Sequence, residues 1–163
     1  MEIVISDTNI FIDLWNIGLL ERFCELPLSI HTTDFIIGEL KTQGVKDAIA
    51  QLHQEGKITI KTFKSNEYVE IMSRQDKNLS FQDCTVLYYA LNGDYKLLTG
   101  DRNLRVIAER HGLQVSGIIY VMDELLHHEI LSKEEYITKL KALLESNHRL
   151  PTKEIMKRIE DSL

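Results

Sequence analysis

Proline is almost missing from this 163-residue chain, with only Pro27 and Pro151, and cysteine is limited to Cys24 and Cys84. Without a Pro- or Gly/Ser-rich stretch no linker stands out, so residues 1–163 are read as a single domain. Two cysteines with no C-x-x-C pair exclude a disulfide framework, and both are expected to be buried free thiols. Long hydrophobic runs are also missing: no window approaches the ~20 apolar residues of a membrane span. Met1–Ser6 carries no basic stretch followed by a long apolar run, so a cytoplasmic protein is expected. Positive charge is in deficit, 19 Lys and Arg against 25 Asp and Glu, a net charge of −6. That balance excludes a general basic field that would gather nucleic acid, so any phosphate contact must be local or metal-mediated.

Several chemistries are excluded by missing motifs. There is no G-x-G-x-x-G and no G-x-x-x-x-G-K-[ST], which removes dinucleotide and P-loop readings. The six histidines (His31, His53, His111, His127, His128 and His148) form no H-E-x-x-H, which argues against zinc hydrolysis.

What is present is an ordinary globular balance, 44% hydrophobic and 27% charged. Ile3–Val4–Ile5 reads as a buried strand that stops at Ser6–Asp7–Thr8, three residues suited to a helix N-cap. Further strands are expected at Leu28–Thr32, Ile58–Thr62, Tyr95–Thr99 and Leu113–Val115, with helical periodicity between them. One of these helices carries Phe35, Ile36, Ile37 and Leu40 and is expected to close at Gly44; another is expected over Lys46–Gln54. A third opens at Ser80 with Cys84, Leu87, Tyr88 and Leu91 as its apolar stripe, and Ser80–Asp83 reads as a capping box. Alternation of strands and helices without tight hairpins predicts a parallel sheet covered on both faces, an α/β/α sandwich. Residues 132–163, opened by the capping box Ser132–Glu135, are read as a charged helical extension.

In such sheets ligands bind beyond the carboxyl ends of the strands, where Asp7 and Asp101 fall. Asp83 lies in the first turn of the helix before the fourth strand, and Glu39 in the helix after the second. Each acid alone has a structural explanation as a cap or a solvated helical residue. Together they form an oxygen-only set suited to a hard cation such as Mg²⁺ or Mn²⁺. Gly38, inside a helix where glycine costs ~1 kcal/mol relative to alanine, is expected to permit a close approach beside Glu39.

The segments Ser6–Asp7–Thr8–Asn9, Gly38–Glu39–Leu40, Leu79–Cys84 and Leu98–Thr99–Gly100–Asp101, in this order, resemble the PIN domain, most of all PIN ribonucleases of the VapC toxin type. The likeness covers about residues 1–125. It implies a five-stranded sheet in order 3-2-1-4-5 and metal-dependent hydrolysis of RNA phosphodiesters, with Asp7, Glu39, Asp83 and Asp101 at the four acidic positions. The position two after Asp101, often another acid in the family, is Asn103. On this reading Asp7, Asp83 and Asp101 hold Mg²⁺ or Mn²⁺, and Glu39 orients or deprotonates the attacking water or serves a second cation. Asn9, Thr99 and Asn103 are the supporting residues, and Lys41, Arg74, Lys77, Arg102 and Arg105 are the candidate RNA contacts. The resemblance further implies a homodimer and a small antitoxin protein as partner. The alternative from another class is a non-catalytic module that keeps the fold and binds RNA or protein.

Overall fold

The computed structural model describes all of residues 1–163. Five parallel strands, β1 (Glu2–Ser6), β2 (Leu28–Thr33), β3 (Ile58–Lys61), β4 (Lys96–Leu98) and β5 (Val115–Ser116), form one sheet in the order β3-β2-β1-β4-β5. The helices are α1 (Thr8–Asn16), α2 (Leu20–Phe23), α3 (Asp34–Glu39), α4 (Gln43–Gln54), α5 (Ser65–Ser73), α6 (Phe81–Gly93), α7 (Arg102–Arg110), α8 (Ile118–His127), α9 (Lys133–Ser146) and α10 (Thr152–Ser162). None is long and apolar enough to cross a membrane.

Successive strand residues point to opposite faces, and both faces are buried. Val4, Ile30 and Leu98 join a cluster with side chains of α1, α2, α4, α8, α9 and α10. Their neighbours Ile5 and Leu97 point the other way into a second cluster with α3, α5, α6 and α7. The sandwich therefore has two cores separated by the sheet, and the extension belongs to the larger one. Tyr136, Leu140, Leu143, Ile155 and Ile159 are all at most 5% exposed and lie in that cluster. Asp123 of α8 fastens the extension, accepting from the Tyr136 hydroxyl at 2.6 Å and from Arg158 on both carboxylate oxygens at 2.9 to 3.0 Å.

Several local expectations need correction. Gly44 does not close the helix after β2: that helix ends at Glu39, and Gly44 sits in the first turn of α4, which begins at Gln43 rather than Lys46. A Cβ on Gly44 would come within 2.6 Å of the Trp15 ring, so packing of the indole excludes a side chain here. The fifth strand lies at Val115–Ser116 instead of Leu113–Val115, because Leu98 pairs with Ser116 and Leu113 is buried in the second core. Cys84 is buried, whereas Cys24 is only half-buried. Helix α6 has no single apolar stripe: Thr85, Val86 and Ala90 are buried as fully as Cys84 and Leu87, because α6 is wrapped by β1, β2, β4, α3, α5 and α7.

Candidate functional site

The strand register decides which residues meet. Ser6 pairs with Leu98 at the ends of β1 and β4, so the next residues, Asp7 and Thr99, emerge side by side from adjacent strands ~4.8 Å apart. Asp7 N–H donates to Leu98 C=O at 3.1 Å, and the chain then turns into α1 with Asp7 as N-cap. One carboxylate oxygen of Asp7 accepts Ile10 N–H at 3.2 Å; the other accepts the Thr99 hydroxyl. Thr99 Oγ1 in turn accepts Asp101 N–H at 3.0 Å, and Asp101 caps α7 by accepting Leu104 N–H at 2.9 Å. One buried threonine thus ties together the two acids that end neighbouring strands.

The other two acids are positioned by hydroxyls at the end of β2. Thr33 caps α3 by accepting Ile36 N–H, and α3 carries Glu39, whose carboxylate accepts the Thr8 hydroxyl at 2.7 Å. Thr33 also hydrogen-bonds the Thr85 hydroxyl at 2.8 Å, anchoring α6 two residues past Asp83. Ser80 accepts Asp83 N–H, but its own backbone N–H makes no return bond to the Asp83 carboxylate. The capping box read at Ser80–Asp83 is therefore only half formed, and Asp83 lines the cavity.

Asp7, Glu39, Asp83 and Asp101 line one open cavity of about 730 Å³, together with Thr8, Asn9, Lys41 and Lys46. Neither lysine makes an ion pair with them. Asp7 is 2% exposed, and burial pushes its carboxyl up to about 7 against the help of its Thr99 and Ile10 hydrogen bonds. Asp83 is pushed up to about 6, first by burial and then by the charges of Asp101 and Glu39. The charges of the facing acids thus add to burial in raising both carboxyls. No three His, Cys, Asp or Glu side chains are drawn together tightly enough to clasp an ion as they stand. The donors are all oxygens, with a net negative charge the two lysines do not cancel, and they fit a hard divalent cation.

Of the supporting residues, Thr99 is buried between two acids and Asn9 lines the cavity. Asn103 does not: it is exposed and lines a separate depression with Asn78 and Arg110. Among the cations, Lys41 lines the carboxylate cavity, whereas Arg102 and Arg105 line a neighbouring one. Arg74 is paired with Glu70 at 3.3 Å, and Lys77 borders neither cavity. Sequence reasoning missed Thr8 and Lys46; the Asp-Thr-Asn run held the signal for Thr8, and nothing marked Lys46. Gly38 lines the cavity, yet a Cβ on it would meet nothing within 4 Å, so the close protein approach expected there does not occur.

No curated protein matches the chain. Among solved structures it is similar to SSO1118, a PilT N-terminus domain protein from the hyperthermophilic archaeon Sulfolobus solfataricus P2. The identity is 13%, over 76% of this chain and 93% of that one, with a TM-score of 0.45. A family model described as DUF3368, PIN domain, matches residues 3–162. With nearly every residue inside that match, the chain belongs to the PIN domain family.

Proposed function

We propose that the protein is a cytoplasmic Mg²⁺- or Mn²⁺-dependent endoribonuclease of the VapC toxin type. The observation that carries this reading is the gathering of Asp7, Glu39, Asp83 and Asp101 around one cavity at the carboxyl edge of a parallel sheet. PIN family membership supports a nuclease-like module, and an oxygen-only acidic cavity supports divalent-metal chemistry.

Asp7, Asp83 and Asp101 would hold the cation. When bound, it supplies Lewis-acid polarisation of a phosphoryl oxygen and acidifies a water. Glu39 receives the proton of the attacking water, with its carboxylate steadied by the Thr8 hydroxyl. Thr99 fixes the geometry by holding Asp7 and the Asp101 backbone at once. Single-stranded RNA suits an open acidic cleft better than duplex, because a scissile phosphate in a flexible strand can enter it. The toxin reading also carries a homodimer and a small antitoxin; Trp15, 38% exposed beside Ile12, Leu40 and Val45, is an apolar surface suited to such a contact.

Purified protein incubated with single-stranded RNA and Mn²⁺ tests the reading. Cleavage is expected in the wild type, abolished by chelation and reduced at least about a hundredfold in Asp101→Asn, a loss of ~3 kcal/mol of transition-state stabilisation. Cleavage by Asp101→Asn at the wild-type rate would contradict the assignment. RNA binding without metal-dependent cleavage would favour the non-catalytic module.

A further inference from the structure

A second cavity, about 670 Å³, adjoins the carboxylate site at the turn between β4 and α7. Asp101 lines the first cavity, and its neighbours Gly100 and Arg102 line the second. Four arginines face this space: Arg102 and Arg105 from α7, Arg149 from the turn between α9 and α10, and Arg158 from α10. Arg158 is already neutralised by Asp123 and Glu154, at 2.9 and 3.1 Å. Arg102, Arg105 and Arg149 make no ion pair, although Glu109 borders the same space. Against the three acids that line the space, Glu109, Asp123 and Glu154, the four arginines leave one net positive charge, and the guanidinium forks of Arg102, Arg105 and Arg149 stay open to an anion.

Arg149 is held there by the fold. Asn147 Nδ2 donates to the buried Asp13 carboxylate at 3.0 and 3.3 Å, and Asn147 Oδ1 accepts Arg149 N–H at 3.0 Å. Leu150 then packs against the larger core. The turn is therefore pinned on both sides of Arg149 and presents its side chain from the extension.

We infer that Arg102, Arg105 and Arg149 form a phosphate-binding groove, completed by the C-terminal extension, that grips the backbone of a polynucleotide strand next to the carboxylate cavity. The guanidinium fork matches phosphate oxygens in paired hydrogen bonds. A polymer fits better than a free anion, because the arginines come from two separate elements, α7 and the turn before α10, and successive phosphates of one strand can meet both. The direction of the strand toward the acids rests on the nuclease reading; the groove itself does not.

Binding of a short fluorescein-labelled oligoribonucleotide, followed by anisotropy in EDTA, reads the groove without cleavage. Arg149→Ala is expected to weaken binding about tenfold, and to make the slope of log K against log salt shallower by about 0.7. Arg105→Ala should behave alike. Lys153→Ala removes the same charge from an exposed position of α10 outside the cavity and should leave binding unchanged. Equal effects of Arg149→Ala and Lys153→Ala would overturn the groove, as would an oligoribonucleotide that does not bind. Inorganic phosphate that binds the wild type but not Arg149→Ala, while both bind RNA equally, would also overturn it in favour of a small-anion site. Arg149-dependent binding by a protein that never cleaves RNA would remove the nuclease reading and leave the groove. Normal cleavage with binding indifferent to Arg149 would do the reverse.

Discussion

A chain ending at Leu131 is expected not to fold. The missing segment supplies Tyr136, Leu140, Leu143, Ile155 and Ile159 to the larger core, all essentially buried. Burial of side chains of this size contributes ~1.5 to 3 kcal/mol each, so five of them match the ~5 to 15 kcal/mol by which whole domains are stable. Truncation also removes the ordering cost of α9 and α10, which offsets part of that loss. Polar contacts to the extension are lost as well. Asp13, 6% exposed and already raised in pKa by burial, loses both hydrogen bonds from Asn147. Asp123 loses Tyr136 and Arg158, and Ile17 C=O loses the Lys139 ammonium at 2.7 Å. Water can replace these partners once the segment is gone, so the apolar loss decides the outcome. Calorimetry of the truncated chain should show no cooperative transition, and fluorescence should show dye binding to exposed apolar surface. A cooperative melt within a few degrees of the full chain would contradict an integral extension.

Asp7→Asn is expected to stabilise the metal-free protein at about pH 8. The Asp7 carboxyl titrates near 3.8 in the unfolded chain and near 7 when folded, because burial disfavours its charge. Between those values the folded state holds a proton that the unfolded chain has released. Stability therefore falls as pH rises through this window, and the full penalty is present above it. That penalty is at most ~4 kcal/mol, because each pH unit between the two titration midpoints corresponds to ~1.4 kcal/mol. Asparagine carries no charge, and its amide oxygen still accepts the Ile10 N–H, so the cap survives; its Nδ2 cannot accept the Thr99 hydroxyl, a loss of ~1 kcal/mol that offsets part of the gain. At ~2 to 4 °C per kcal/mol, the melting temperature should rise by several degrees at about pH 8, with the gain vanishing near pH 4. Saturating Mn²⁺ should reverse the order, because a cation that binds only the folded wild type raises its stability while the variant gains little. A lower melting temperature for Asp7→Asn in the metal-free state would contradict the account.

The β1 strand and its stop at Asp7 were legible because an apolar β-branched run met three good N-cap residues. Asp7 and Asp101 were legible for a related reason: helix-capping positions after parallel strands fall at one edge of the sheet, whereas Asp83, in the first turn of α6, was placed by the family resemblance. Strand order was not readable from alternation, which is the same for any doubly wound sheet; the family resemblance supplied it. Gly44 was misread because nothing local says that Trp15, far back in the chain, lies across it. The fifth strand shifted because Leu113 satisfies the apolar pattern from a loop, and only pairing with Leu98 locates the ladder. Asp13 and Asn147 escaped notice for a simpler reason: 134 positions separate them, and neither stands in a motif. Arg149 was hidden likewise, since its meaning depends on a turn pinned by that pair.

Titration of Mn²⁺ into metal-free protein by calorimetry, repeated in buffers of different ionisation enthalpy, tests the acidic cavity most directly. Ligand carboxyls must be deprotonated to coordinate, and Asp7 near 7 and Asp83 near 6 are partly protonated at about pH 6. Saturable binding with release of roughly one proton or more per ion is predicted at about pH 6, fading toward about pH 8 and lost in Asp83→Asn and Asp101→Asn. Heat that never saturates, or uptake that is unchanged in both variants, would contradict a divalent-cation site built from these acids.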